Sequence, residues 1–234
     1  MDLLRATYDK IRVQHPKLTF ESYEVVKLVN DYRLYWKPRR VKTILLAESH
    51  VYTHDAETEN RHRLNLPGYP DRYVRFVYNL SYGQQQPLEY PVSNNKGTPQ
   101  FWKLFNEAVG GSFRVINNRD QADKLAQKIE LLCCMREQGI WLLDCSIVGL
   151  YHNGEKPLPN EMRDILFASW QHYGKAVVEQ EQPENIVVIG STIHQLLQGE
   201  LKPRCRHLDW IHQPNARLTA EVRRGIGHVG FKWI

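Results

Sequence analysis

The sequence predicts a three-layer α/β/α fold, in which helices cover both faces of a central sheet of four parallel strands. Four short apolar segments have the length of buried strands, one beginning at Thr43 and the others at 140–145, 186–190 and 207–212. Segments with helical periodicity separate them, and this alternation is typical of a parallel sheet. We expect a single domain over residues 1–234.

Two helices are predicted before the first strand, in a helical extension that covers residues 1–40. In the first helix, apolar residues recur at helical spacing and Pro16 closes the segment. The second helix follows Thr19 and ends before Pro38. Tyr23, Val26, Val29 and Leu34 are predicted to lie on or near one face of this helix.

Residues 51–100 form the least regular part of the sequence. Gly and Pro interrupt them repeatedly, which inside a compact domain is typical of functional loops. Within them, the alternation of residues 73–80 predicts a strand whose aromatic side chains are buried.

The later helices are predicted from Pro, capping residues and apolar periodicity. Asp120 and Gly139 are the residue types expected at an N-cap and just past a C-terminus, and Ser191 or Thr192 is expected to cap a short helix. One of these helices is predicted to begin at Pro99. The others are predicted at 121–138, from 160 to about 178, at 191–197 and at 219–224.

Composition excludes several classes of protein. No apolar run approaches the roughly 18 residues that a membrane span needs, and the first residues lack the layout of a secretion signal. We therefore expect a cytoplasmic monomer without a membrane partner. The four cysteines lack metal-site spacing, and Cys133 is adjacent to Cys134, so we expect no metal and no cofactor.

The positive charge is concentrated near the C-terminus. Residues 201–234 hold seven Lys and Arg residues against two acids, which equals the net charge of +5 of the whole chain. A basic segment favours an anionic partner, with DNA the first candidate, although a solvated basic face without a ligand has the same composition.

Polar residues follow three of the predicted strands. Glu48 comes after the first, Asp144 ends the second and His212 closes the last. The carboxyl ends of parallel strands face one crevice, where ligands bind. We expect these two carboxylates and the imidazole to converge there.

The order of these motifs resembles the uracil-DNA glycosylase superfamily over about residues 40–220. In that family a Gln or Glu and a variable, often catalytic position follow the first strand, matched here by Glu48 and Ser49. A Pro-led helix start that grips the DNA backbone is similar to residues 96–107, and the Leu-Leu-Asn end of the second strand is matched by Leu142-Leu143-Asp144. The strand that leads into Ser191 and the loop His212-Gln213-Pro214-Asn215, which has one inserted residue, match the remaining motifs.

The resemblance implies a metal-independent enzyme that binds DNA, flips a damaged or mispaired base and hydrolyses its N-glycosidic bond. Glu48 and Ser49 stand where the family activates water, and His212 stands where it stabilises the departing base. Phe76 or Tyr78 would stack on the base, although both are also expected in the core. The residues expected to contact the DNA backbone are Thr98, Gln100, Ser191, Asn215 and Arg217.

Asp144 stands where the family reads the base with Asn. An ionised carboxylate accepts hydrogen bonds and donates none, so it repels O4 of uracil but accepts from an exocyclic amino group. We therefore expect a base preference that need not be uracil.

Other functions remain open. The same crevice and basic segment suit a non-catalytic DNA-binding module, or an enzyme that acts on a free nucleotide. A doubly wound protein of another family is a further alternative, because fold alone does not determine function. Ser49 and His50 also suggest a nucleophile and its base, but no Gly-x-Ser-x-Gly elbow surrounds them.

Overall fold

The computed structural model describes residues 2–111, 113, 121–152 and 155–214. Four strands alternate with helices in chain order, as the sequence predicts. The strands are β1 (Thr43–Ala47), β2 (Ile140–Asp144), β3 (Asn185–Ile189) and β4 (His207–Ile211). The helices are α1 (Leu3–Gln14), α2 (Tyr23–Tyr35), α3 (Pro99–Ala108), α4 (Gln121–Gln138), α5 (Pro159–Ser169), α6 (Lys175–Glu181) and α7 (Ser191–Leu201).

The four strands form one parallel sheet in the order β2-β1-β3-β4. The strands β1, β2 and β3 are buried along their whole length, as expected of a parallel sheet covered on both faces. One group of helices, α1, α5 and α7, packs together, and α3 packs on α4, which contacts β2. This arrangement confirms the predicted three-layer α/β/α fold.

Helix boundaries follow the predicted signals in most places. Ser22 caps α2, and Gly139 ends α4 with a φ of +80°, a backbone conformation that favours glycine. The helix predicted from 160 to about 178 is interrupted by a π-helical turn at Trp170–Gly174. No helix among the described residues is long and apolar enough to cross a membrane.

Three local predictions were wrong. Residues 73–80 form consecutive turns rather than a strand, because the side chain of Asn79 donates to the Val74 carbonyl at 2.9 Å and accepts from the Ser81 N–H at 3.0 Å. Leu34 is 49% exposed and does not share the buried face of Val26 and Val29. The N-cap of α7 is Gly190, so Ser191 is the first residue of the helix and not its cap.

Some predictions fall on residues that the structure does not describe. The N-cap Asp120, the last helix at 219–224, and two expected DNA contacts, Asn215 and Arg217, lie outside the described ranges.

Candidate functional site

The last residues of the four strands lie side by side at the carboxyl edge of the sheet. Asp144 pairs with Ala47 across β1 and β2, and Ile211 pairs with Ile189 across β3 and β4. Glu48 and His212 therefore each lie one residue past the last paired position. The strands β1 and β4 are separated by β3, and neighbouring strands lie about 4.8 Å apart, so the backbones of Glu48 and His212 are about 10 Å apart.

A narrow cleft opens between β1 and β2 at this edge. We call it the strand-end cleft, and its walls include Ser49, Phe76, Thr98, Phe101 and Asp144. Its volume is about 30 Å³, enough to hold a water molecule, which needs roughly 10–15 Å³. Three residues predicted separately from the sequence, Ser49, Phe76 and Asp144, thus meet at one small cavity.

Asp144 is held in a buried ionic network. Its Oδ2 atom lies 2.9 Å from a terminal nitrogen of Arg33 and 3.8 Å from Nδ1 of His50. Oδ1 of Asp144 accepts no hydrogen bond from any side chain or backbone group that the structure describes. Asp144 is also one of the residues that line the strand-end cleft.

Glu21 completes the network from the loop between α1 and α2. Its Oε1 atom lies 2.5 Å from Nε2 of His50 and accepts from the Gly149 N–H at 2.8 Å, and Oε2 accepts from the Thr53 N–H at 3.2 Å. Gly149 is required there, because a Cβ atom would lie 2.7 Å from the backbone of Tyr52. The N-terminal extension thus contributes a carboxylate to the carboxyl edge of the sheet.

The network is electrically balanced at neutral pH. Burial by itself lowers the pKa of His50, but the charges of Glu21 and Asp144 outweigh burial and raise the pKa to about 9. Burial raises the pKa of Asp144, but the nearby imidazole of His50 and the charge of Arg33 bring it below its usual value. Asp144 is therefore ionised and presents an acceptor to the strand-end cleft.

Glu48 and Ser49 are held by the segment after β2. Oε1 of Glu48 accepts from the Tyr151 hydroxyl at 2.5 Å, and Oγ of Ser49 accepts from the Leu150 N–H at 3.4 Å. Burial, and then the neighbouring Glu48, raise the pKa of Tyr151, so the phenol stays protonated and donates. His50 faces Glu21 and Asp144, so the structure does not pair it with Ser49 as a base.

His212 stands apart from the ionic network. Its ring lies 4.8 Å from that of Trp210, and Trp210 stacks on His194 at 5.5 Å. The imidazole of His212 has no hydrogen bond to any described residue. The inserted residue Gln213 packs on Gly190 and donates to the Ile189 carbonyl at 3.3 Å.

The two candidate stacking rings occupy different places. Phe76 is a wall of the strand-end cleft and lies 5.3 Å from the guanidinium carbon of Arg33. Tyr78 lies in the core, where its hydroxyl accepts from the Leu142 N–H at 2.8 Å and so braces β2. Of the two, only Phe76 is in a position to contact a molecule in the cleft.

The expected DNA contacts are spread along the same edge. Thr98 is the N-cap of α3 and its buried Oγ1 atom has no partner among the described residues. Gln100 is the second residue of α3, and Ser191 is exposed at the start of α7.

A second pocket adjoins the cleft at the start of α3. We call it the lysine pocket, because it is lined by Lys96, Lys103, Lys124 and Lys128. It shares Tyr82 and Thr98 with the strand-end cleft, so the two are neighbours.

Lys128 is the unusual member of the lysine pocket, because only 2% of its surface is exposed. Its Nζ atom reaches the Tyr82 carbonyl at 3.5 Å and lies 4.8 Å above the Trp102 ring. No carboxylate pairs with it among the described residues. The ring contact is worth about 2 kcal/mol, less than the desolvation of a buried ammonium, so burial, with the charge of Lys124, lowers the pKa of Lys128 to about 7.

Four residues of these sites were not predicted from the sequence, namely Glu21, Arg33, Tyr151 and Lys128. Arg33 carried a usable signal, since it follows Val26 and Val29 at helical spacing and therefore belongs to the inward face of α2. Lys128 similarly precedes the buried Leu131 and Leu132 by three and four residues.

Comparisons with known proteins leave the chain without an assigned family. No protein-family model matches it, and no curated protein is significantly similar to it in sequence. The four cysteines are free, and the described residues contain no group of three or more His, Cys, Asp or Glu side chains arranged to hold a metal ion.

Proposed function

We propose that this protein is a DNA glycosylase that hydrolyses the N-glycosidic bond of a flipped base carrying an exocyclic amino group. One observation carries the proposal. Asp144 is ionised in the wall of the strand-end cleft, with Oδ2 engaged by Arg33 and His50 and Oδ1 unoccupied by any described donor.

The chemistry of that oxygen defines the base. A carboxylate held ionised by two cationic neighbours accepts a hydrogen bond and cannot donate one. Adenine and cytosine present an amino donor where hypoxanthine and uracil present an oxygen acceptor. Asp144 therefore favours the amino-bearing member of each pair.

The surrounding groups suit hydrolysis at C1′. Water oriented by Glu48 supplies the oxygen that bonds to C1′ as the bond from C1′ to the base nitrogen breaks, and the departing base takes up a proton. Tyr151 orients the Glu48 carboxylate, and Phe76 contacts one face of the base. His212, at the end of β4, would stabilise negative charge on the base. Neither Glu48 nor His212 is a wall of the strand-end cleft, so the flipped nucleotide must extend from the cleft toward both.

The second candidate is a DNA-binding module of the same fold that releases no base. The small cavity favours it, because about 30 Å³ admits a water molecule, whereas a base enters only after the walls move. In this alternative, Asp144 is only the structural partner of Arg33 and His50.

Base release from defined oligonucleotides tests the proposal. Purified protein is incubated with strands that carry adenine, cytosine or an alkylated adenine in a mismatch, and abasic sites are then cleaved with alkali. We expect strand scission with wild type, loss of at least 100-fold in rate with Glu48→Gln, and no loss with Glu59→Gln, an exposed carboxylate used as a control. Salt-sensitive DNA binding without scission on any strand would favour the binding module.

A further inference from the structure

The lysine pocket has features that the proposed glycosylase reaction does not use. Lys128 is buried, its only hydrogen bond among the described residues is at 3.5 Å, and it has no described anionic partner. The buried Oγ1 of Thr98 in the same wall also lacks a described partner. A cationic donor and a hydroxyl left unsatisfied in one cavity indicate that an anion completes the site.

The shape of the pocket restricts the anion. Gly83 and Gly97 approach so closely that a Cβ atom on Gly97 would lie 2.7 Å from Cα of Gly83, which closes one side, and the Trp102 ring forms another wall. The cavity volume is about 60 Å³, several times the roughly 10–15 Å³ that one water molecule needs. This space suits a compact anionic group such as a phosphate.

We propose that the lysine pocket binds a terminal phosphate monoester, carried either by a free nucleotide or by the 5′ end of a DNA strand. A terminal group enters such a pocket through one entrance, whereas an internal phosphodiester continues in two directions. The monoester also carries about two negative charges at neutral pH, which suits a site lined by four lysines.

Lys128 couples this binding to a proton. The charged side chains that line the pocket with it are Lys96, Lys103 and Lys124, and no acid among the described residues lines the pocket to keep its ammonium charged. A dianion beside Lys128 favours the charged amine. Binding therefore transfers a proton from solvent to Lys128 above neutral pH.

The inference does not depend on the glycosylase reaction. A terminal-phosphate pocket beside the strand-end cleft would serve an enzyme on DNA ends, a non-catalytic binder or an enzyme on nucleotides. Its test therefore measures binding alone and uses no base release, so the two proposals fail separately.

Fluorescence anisotropy with short 3′-labelled single strands tests the pocket directly. We expect wild type to bind a 5′-phosphorylated strand at least 10-fold more tightly than the same strand with a 5′-hydroxyl. Lys128→Met should abolish the difference and Lys10→Met, an exposed lysine of α1, should retain it. Equal affinities for the two ends in wild type, with no competition by a nucleoside 5′-monophosphate, would overturn the proposal.

Two further measurements identify the source of the phosphate and the role of Lys128. A nucleoside 5′-monophosphate is added to the complex of the protein with the 5′-phosphorylated strand. If it displaces the strand, the pocket is assigned to free nucleotides. If it does not, the pocket is assigned to DNA ends. Titration of the 5′-phosphorylated strand into wild-type protein is followed by calorimetry at pH 8, in two buffers of different ionisation enthalpy. The difference between the two heats should show that binding takes up a proton. A 5′-phosphate preference that persists in folded Lys128→Met would contradict the assignment.

Discussion

The guanidinium of Arg33, on α2, lies 2.9 Å from Oδ2 of Asp144 at the end of β2, and both side chains are almost completely buried. The pair therefore joins the N-terminal extension to the carboxyl edge of the sheet. It also keeps Asp144 ionised while leaving Oδ1 to the strand-end cleft. A buried ion pair contributes little net stability, but either partner alone is costly.

Removal of Arg33 should destabilise the protein strongly. Arg33→Met leaves Asp144 buried with only His50, at 3.8 Å, to balance its charge, and we expect the free energy of unfolding to fall by about 3–5 kcal/mol. Urea denaturation measures the change, with Arg39→Met, at an exposed arginine, as the control. The double variant Arg33→Met/Asp144→Leu should recover part of the lost stability. If the urea midpoint of Arg33→Met equals that of wild type, the Arg33–Asp144 pair has no structural role.

The network should impose a pH dependence on stability through His50. Its folded pKa of about 9 lies above the usual unfolded value of about 6.5, so its contribution is complete below pH 6.5 and is lost as pH rises through 9. Between these values the free energy of unfolding should fall faster in wild type than in His50→Gln, by up to about 1.4 kcal/mol per pH unit. Parallel pH profiles of the two proteins would show that His50 is neutral in the folded state.

Lys128 should have the opposite effect on the pH dependence of stability. Its folded pKa of about 7 lies below the unfolded value of about 10.4, so the unfolded chain binds more protons between these values and stability from this group rises with pH. Lys128→Met removes the cost of the buried amine, and we expect a higher free energy of unfolding at pH 7 and a weaker rise above it. Thermal unfolding at several pH values measures this. A variant less stable than wild type at pH 7 would show that the ammonium is compensated.

Tyr151 is expected to position Glu48 for hydrolysis. Tyr151→Phe removes the hydroxyl that donates to Oε1 of Glu48, and we expect a rate of base release about 10-fold lower with DNA affinity unchanged. Single-turnover assays and anisotropy separate the two quantities. An unchanged rate would assign Tyr151 a packing role only.

The sheet and its polar edge could be predicted because buried parallel strands leave a strong local pattern. The runs before Glu48 and Asp144 are apolar and end in polar residues, so their positions follow from the sequence. Gly139 likewise marks a helix end through its conformational freedom. These signals involve only residues near one another in the chain.

The ionic network could not be predicted in the same way. Glu21 lies in the loop between α1 and α2, where no local pattern marks it as buried. The helical spacing of Arg33 places it on the inward face of α2, but it does not identify Asp144 as its partner. The burial of both residues depends on where α2 docks on the sheet. The turns at 73–80 were not predicted either. Their apolar alternation resembles that of a strand, whereas the hydrogen bonds of the Asn79 side chain fold the backbone back.

The most direct test of the account compares matched pairs of bases in one release assay. Wild-type protein is given otherwise identical mismatched oligonucleotides with adenine or hypoxanthine, and with cytosine or uracil, and single-turnover rates are measured after alkaline cleavage. We predict that release is confined to the amino-bearing member of at least one pair and that Asp144→Asn, checked for folding by urea denaturation, narrows that preference. Release of uracil or hypoxanthine in preference to its amino partner would contradict the role assigned to Asp144, and no release from any strand would contradict the proposed reaction.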